Sequence, residues 1–276
     1  MAERQQRETI PIRYKTTRPI LPLTPDRKVI ETYVNDTTTI QLRRFEPTDL
    51  EHVHRLRTQE EVMVSTSAGI CDANHSVTQT WMDRFLPPND ASTFDLMLWA
   101  KQDDEPWEHI GVLGCHKFEP VPHIGYMLRT EWWGKTIATK ALQAFLGTWW
   151  TLKRRQVEVD LRGVEDEHGL HLMRLEWDDS KTHLNPSVDM QAVPEILLAE
   201  IDERNIGSIK VVERCGFKYR ARETVVEEQG SFVLLDYTAT NPTAQFAGKS
   251  NDKAARFCLL SERVIIAGLE SLESPF

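Results

Sequence analysis

The alternation of apolar and polar residues divides the chain into strand-like and helix-like runs. Thr38 to Phe45 reads as a strand, with Ile40 and Leu42 alternating with polar neighbours and Phe45 at its end. Pro47 then opens a helix that carries Leu50, Val53 and Leu56 on one stripe. A second helix start is signalled at Ser76, where Gln79 follows at capping-box spacing. Val77, Trp81 and Phe85 then recur every four residues until Pro87 and Pro88 stop the run. Phe94 to Ala100, Ile110 to Phe118 and Ile124 to Leu128 are strand-like, and the breaks between them, DDEPWE and EPVPH, are turn-like. This order predicts an antiparallel meander. A wide apolar stripe at helical period (Ile137, Ala141, Leu142, Phe145, Leu146, Trp149, Trp150) then predicts a helix from about Thr136 to Leu152.

Residues 162–192 break the pattern. They are polar and acidic and hold His168, His171 and His183, which marks them as an insertion in the domain, either one with a function or a disordered loop. Val193 to Ile201 is again a strand. A short helix follows, with Asn205 as N-cap, Ile206, Ile209 and Val212 inside it, and Gly216 just past its end. Phe217 to Val226 and Ser231 to Thr238 close the domain as two more strands. The domain therefore spans 37–242. Residues 1–36, rich in Pro, Thr and Arg, read as an N-terminal extension, either an extended arm packed on the domain or a loose tail. Residues 243–276 form a C-terminal extension whose apolar stretch, Phe257 to Leu269, reads as a further helix. That apolar segment leaves both a monomer and a homodimer open.

Composition narrows the functional classes. A chain of 276 residues suffices for one well-buried domain with extras. With 40% hydrophobic and 27% charged residues, it is neither disordered nor collagen-like. Lys and Arg total 33 against 42 Asp and Glu, a net charge of −9, so the general basic footprint of a nucleic-acid binder is missing. Cys71, Cys115, Cys215 and Cys258 lack the short spacing of a zinc or redox motif and read as reduced thiols. His168 and His171 alone are too weak a pattern for a metal, and none is expected. The N-terminus has no apolar core of a secretory signal, and no apolar run approaches the roughly 18 residues of a membrane span. A cytoplasmic protein without membrane contact is expected.

The chemistry concentrates in two linked segments, HIGYMLRTEWWGKTIATKAL from His123 to Leu142 and AEIDERNIGSIKVVERCGF from Ala199 to Phe217. In the first, a turn from strand to helix leaves backbone N–H groups unpaired, with the positive end of the helix dipole behind them. That is a site for a pyrophosphate. The two segments stand in order, roughly 70 residues apart. Together they resemble the GNAT superfamily of acyl-CoA-dependent N-acyltransferases, and within it the Rim-type branch. That branch shows a strand reading IGY-x-L, then WGKGYAT-x-A, N-x-x-S and a terminal GF. The resemblance covers roughly 38–240.

The resemblance implies an α+β fold: a mixed, mostly antiparallel, splayed sheet with helices on both faces. It implies acetyl-CoA as co-substrate. Gly134, Lys135, Thr136, Ile137, Ala138 and Thr139 would cradle the pyrophosphate, with Trp133 beside them. Thr136 departs from the pattern, which has Gly there; its hydroxyl could serve a phosphate or its bulk could crowd the loop. Tyr126, Met127 and Leu128 would lie on the splayed strand, whose backbone pairs with the pantetheine arm as an added strand would. An N–H near Met127 would hold the thioester oxygen as charge develops. Asn205 would bond the pantetheine amide, and Ser208 would sit near the sulfur. Many members carry a tyrosine one turn further along. Here that position is Val212, so Ser208 is the candidate proton donor. A thiolate is already a fair leaving group, with a free thiol pKa of about 8.5.

Two residues compete as general base. His123 precedes Ile124-Gly125-Tyr126, where the Rim-type pattern often has Glu, and histidine titrates near neutral pH. Glu200 lies on the strand beside the cleft. From Glu158 to Asp179 there are eight Asp or Glu against Arg162 and Arg174. Such a stretch is either a solvated loop or a negative lid that favours a cationic amine: a basic peptide N-terminus, a lysine or a polyamine. The expectation is acetyl transfer to a primary amine by direct attack in a ternary complex. The alternative, a GNAT-like binding or assembly module with weak or lost CoA binding, rests on Thr136 and Val212.

Overall fold

The strand and helix patterns assemble into one nine-stranded sheet flanked by helices on both faces, with a second, three-stranded sheet beside it. The structure is a computed structural model that describes residues 13–21, 29–119, 121–160, 191–192, 195–227, 230–242 and 265–266. In chain order the elements are β1 (Arg13–Pro19), β2 (Ile30–Asn35), β3 (Thr38–Arg43), α1 (Leu50–Arg57), α2 (Glu60–Met63), α3 (His75–Met82), β4 (Phe94–Gln102), β5 (Glu108–Lys117) and β6 (His123–Leu128). After these come α4 (Ile137–Thr151), β7 (Arg154–Asp160), β8 (Gln191–Ala192), β9 (Ile196–Asp202), α5 (Ile206–Arg214), β10 (Lys218–Glu227), β11 (Gly230–Thr240) and β12 (Ile265–Ile266). The large sheet runs β10-β11-β9-β6-β5-β4-β3-β2-β12, and its neighbours are antiparallel except β6 and β9.

Each face of the sheet buries one set of alternate residues. On one face Leu96, Leu98, Leu113, Cys115 and Ile124 pack against Ala141, Leu142, Phe145 and Trp149 of α4. Phe145 and Trp149 are fully buried and stack at 5.7 Å. On the other face Met97 and Val112 meet Val53, Leu56, Met82 and Phe85 from the α1–α3 region. The helices thus cover both faces, and the strand ends at β6 and β9 remain for chemistry.

The predicted meander is present as β4, β5 and β6. Three local expectations shift. The strand β2 lies in the segment whose composition reads as an extension; it pairs with β3 at the turn Asp36–Thr37. Only Ile30 in it is buried while Tyr33 is exposed, so the strand carries little apolar signal. The second helix begins at His75, with Asn74 rather than Ser76 as N-cap: Asn74 Oδ1 accepts from the Val77 N–H at 3.2 Å. Its buried side chains are Thr78 and Met82, and Val77 faces out; after Met82 the helix tightens into a 3-10 turn in which Phe85 is buried. The strand after the insertion runs from Ile196, and Val193 and Pro194 lie outside the described residues.

The insertion with His168, His171 and His183 also lies outside the described residues, apart from Gln191 and Ala192 in β8. Its flanks are tied together. Arg154 Nε and Thr17 Oγ1 both donate to Glu195 Oε2, at 2.9 and 2.8 Å, and Glu195 is buried. The small sheet β7-β1-β8 is built on the same N-terminal arm. Of the expected C-terminal helix, only Ile265 and Ile266 fall within the described residues. They form β12 and pair with Glu31 and Ile30.

Candidate active site

A wedge opens where two strands part. The parallel neighbours β6 and β9 pair only at His123 and Leu198, and the Leu198 N–H donates to the Pro122 carbonyl at 2.8 Å. Beyond that point Ile124 to Leu128 keep β5 on one side and have no strand partner on the other among the described residues. An extended chain can add its hydrogen bonds along such an edge. The N–H of Arg129 donates to Ile110 O at 2.8 Å. Antiparallel alternation from there turns the Met127 N–H toward β5 and those of Tyr126 and Leu128 toward the wedge. The candidate oxyanion donor therefore moves one residue away from Met127.

At the open end of the wedge the chain turns into α4. Trp132 is buried, and the Lys135 ammonium lies 4.9 Å from its ring centroid. Trp133 Nε1 donates to the Leu128 carbonyl at 2.6 Å, which gives this residue a bracing role at the strand end. Gly134 has φ +74° with nothing near the place of a Cβ, so its backbone angle, rather than space, calls for glycine. Thr136 has φ +61° and ψ 0°, the left-handed region, where a β-branched residue is strained. Its hydroxyl donates back to the Lys135 carbonyl at 2.6 Å. The helix starts without a side-chain cap. Its first-turn N–H groups, on Ile137, Ala138 and Thr139, have no helical acceptor. A cavity of about 360 Å³ borders this turn, lined by Asn35, Thr37 and Gln102 on one side and Gly134, Lys135 and Thr136 on the other.

The other wall is β9 running into α5. Asn205 Oδ1 accepts from the Ser208 N–H at 3.0 Å, an N-cap. Ser208 is half-buried in the first turn, while Val212 is fully buried and serves the core. Across the wedge, Tyr126 packs against the same core as Ile209 and Cys215, and its hydroxyl oxygen is buried with no partner among the described residues. Burial pushes its pKa up to about 12, with the Ser208 hydroxyl acting in the opposite direction. The helices α4 and α5 touch where Cys215 Sγ lies 3.5 Å from Thr139 O.

The two candidate bases form a pair. His123 Nδ1 lies 2.9 Å from Glu200 Oε2, across the strands at the closed end of the wedge. His123 is buried, and its Nε2 has no partner among the described residues; the Glu200 side chain is 31% exposed and gives the pair its access to solvent. A carboxylate on one ring nitrogen fixes the tautomer and leaves the other nitrogen as acceptor. Two neighbours escaped the sequence reading. His116 sits at a register shift in β5, between Cys115 and Lys117, with its ring 6.3 Å from that of His123. A bulge re-aims a side chain in this way, and it has no apolar signature. Asp95, paired in register with Gly114, is half-buried; its Oδ2 is buried with no partner among the described residues, and burial pushes its pKa up to about 7.

The GNAT acetyltransferase domain model matches residues 39–218. The chain belongs to the GNAT acetyltransferase family. Solved structures similar to this GNAT chain include RimL, a ribosomal L7/L12 α-N-protein acetyltransferase in complex with coenzyme A. It is 15% identical with a TM-score of 0.50, over 77% of this chain and 98% of that one. A probable GNAT-family acetyltransferase from Chromobacterium violaceum is also 15% identical with a TM-score of 0.50, over 81% of this chain and 96% of that one. These likenesses concern the fold. No curated protein matches the chain.

Within this GNAT domain the departures from the family pattern take physical form. Thr136 keeps a left-handed backbone that suits glycine, and Val212 is spent on the core. Among the described residues no group of three or more His, Cys, Asp or Glu could hold a metal, and no helix is long and apolar enough to cross a membrane.

Proposed function

We propose that this GNAT member transfers an acetyl group from acetyl-CoA to a primary amine, by direct attack in a ternary complex, and that the amine is cationic. The observation that carries this is the wedge itself. An uncapped helix start stands at its open end and a histidine–carboxylate pair at its closed end. Acetyl-CoA supplies an acyl group on a thiol that leaves readily. The chain's residues would then divide the work. The N–H groups of the α4 first turn and Lys135 hold phosphate charge. The wedge edge of β6 pairs with the pantetheine arm, and Asn205 keeps its side-chain NH₂ for the same arm while its Oδ1 caps α5. The Tyr126 and Leu128 N–H groups face the position where negative charge develops. The His123–Glu200 pair takes the proton that the attacking amine must lose, with Glu200 at the solvent side. Ser208 faces the departing sulfur.

A cationic acceptor is favoured by charge: the chain carries −9 overall, with an acidic stretch between Glu158 and Asp179 and Glu200 at the wedge. The test has two stages. Calorimetric titration should show micromolar binding of acetyl-CoA and CoA, with ATP as control. Thiol release should then follow with spermidine, a basic peptide or lysine as acceptor. Glu200→Gln and His123→Ala should each lower turnover about a hundredfold, and the double variant should fall little further, since the two act as one unit. Absence of CoA binding would replace this reading with the binding-module alternative. Unchanged turnover in both single variants would take the pair out of the mechanism.

A further inference from the structure

Four adjacent strands bring a row of polar groups to the face of the sheet opposite α4. Asp95 on β4 points the same way as Met97, two residues on, which shares a core with Val53, Leu56 and Met82 of α1 and α3. The register partner of Asp95 on β5 is Gly114, and Gly114 in turn faces Gly125 on β6. A Cβ at Gly114 would fall 2.9 Å from Asp95 Cγ, so glycine leaves the carboxylate uncovered on that side. A Cβ at Gly125 would fall 3.3 Å from His116 Cε1, so the re-aimed His116 ring lies over the second glycine. His123 stands two residues before Gly125, with its ring 6.3 Å from that of His116 and its Nδ1 2.9 Å from Glu200 on β9. The row therefore runs Asp95, His116, His123, Glu200. Asp95 is half-buried and Glu200 is partly exposed, so both ends are open to solvent. Two atoms along it are buried without a partner among the described residues, Asp95 Oδ2 and His123 Nε2.

We propose that Asp95 anchors a second cation of the acceptor, and that the acceptor is a short aliphatic diamine whose other nitrogen reacts at the His123–Glu200 pair. The inference rests on the acetyl-transfer reading above and adds to it the anchor and the spacing. The two ends are one strand spacing and two residues of β6 apart, roughly 8 Å. That separation suits two nitrogens joined by a few methylenes, each within about 3 Å of its partner. Asp95 has no cation of its own. Arg84, whose charge it feels, lies instead over the rings of Trp81 and Phe85 and donates to the Trp81 carbonyl at 3.2 Å. Burial without a paired cation is what raises the Asp95 carboxyl, and an ammonium beside it would offset that cost. His116, between the two ends, does not oppose a dication. Partial burial, aided by His123, pushes its pKa below the ordinary histidine value, so the ring is neutral at neutral pH.

The test compares two acceptors that differ by one nitrogen. Thiol release from acetyl-CoA by the full-length protein is followed with 1,4-diaminobutane and with 1-aminobutane. The parent should prefer the diamine by about ten- to a hundredfold in kcat/KM, the fold-change of one hydrogen bond to a charged group. Asp95→Asn keeps the shape and removes the charge. It should raise KM for the diamine far more than it lowers kcat, and bring the ratio of the two acceptors close to one. Asp95→Glu keeps the charge and should retain part of the preference. A merely structural role would lower both acceptors alike and leave the ratio where it was. An unchanged ratio in Asp95→Asn would therefore overturn the proposal, as would a parent that takes both amines equally well; neither result touches the acetyl-transfer reading. A parent that binds acetyl-CoA yet acetylates neither amine would also overturn the proposal. Failure of the parent to bind CoA would remove the acetyl-transfer reading and this inference with it.

Discussion

The two helices that flank the wedge begin in opposite ways. The longer, α4, starts at Thr136 with a left-handed backbone, no side-chain cap and a hydroxyl turned back on Lys135. The shorter, α5, starts at Asn205, whose side chain takes the Ser208 N–H at 3.0 Å. Their anchoring explains the difference. Eight of the 15 residues of α4 are buried, among them Phe145 and Trp149, so core packing holds the helix without help from its first turn. Only Val212 is buried among the nine residues of α5, and there the cap has to carry more of the stability. A helix fixed by its core can leave its N–H groups for a ligand. A helix fixed by its cap presents a side chain instead, and here that side chain is Ser208.

The strongest test of this contrast is Thr136→Asp. A carboxylate at the α4 start would face the phosphates of acetyl-CoA. At a few ångströms and an effective dielectric near 20, the repulsion is about 3 kcal/mol, or more than a hundredfold in affinity. The fold should not suffer, because Asp is favoured at a helix N-terminus and tolerates the left-handed region better than Thr. Calorimetry should therefore show acetyl-CoA binding lost while the melting temperature holds or rises. Unchanged affinity would mean that the α4 start is not where the phosphates sit.

A smaller effect separates the two starts by stability alone. Asn205→Ala removes a formed cap and should cost about 1 kcal/mol. Thr136→Ala removes no cap and should cost no more than a few tenths of that. Denaturant midpoints at unchanged slope would report both. Equal losses would show that α4 depends on Thr136 as α5 depends on Asn205, and the contrast would vanish.

How far the sequence revealed these features follows from the kind of signal each carries. The meander and α4 are legible because their apolar stripes are long and regular, as in Ile137 through Trp149. Asn205 is legible as a cap because a small amide at a helix start has one dominant use. The strand β2 is hidden because an edge strand with one buried residue has no alternation to detect. His123 and Glu200 were each visible, but as rivals. Their union at 2.9 Å depends on the parallel pairing of two strands 77 residues apart in the chain, which no local pattern encodes. His116 depends on a bulge, and the orphaned Tyr126 hydroxyl on which side of β6 faces α5.

The smallest effect is the most specific to the α4 start. Thr136 occupies φ +61°, where a β-branched side chain costs about 1–2 kcal/mol and glycine costs nothing. Glycine also loosens the unfolded chain, by about 0.4–1 kcal/mol in the opposite direction. Thr136→Gly should therefore stabilise the protein by only a few tenths to about 1 kcal/mol, whereas glycine at an ordinary helical position destabilises. Removing the side chain also clears the approach to the first-turn N–H groups, so acetyl-CoA affinity should rise severalfold. A lower denaturant midpoint would mean that Thr136 is not strained in solution and that the turn relaxes out of the left-handed region. A raised midpoint with unchanged affinity would place the phosphates beyond reach of this residue. A gain in both would show that the family's glycine serves the backbone first, and that this chain keeps the geometry of the loop at the expense of a strained threonine.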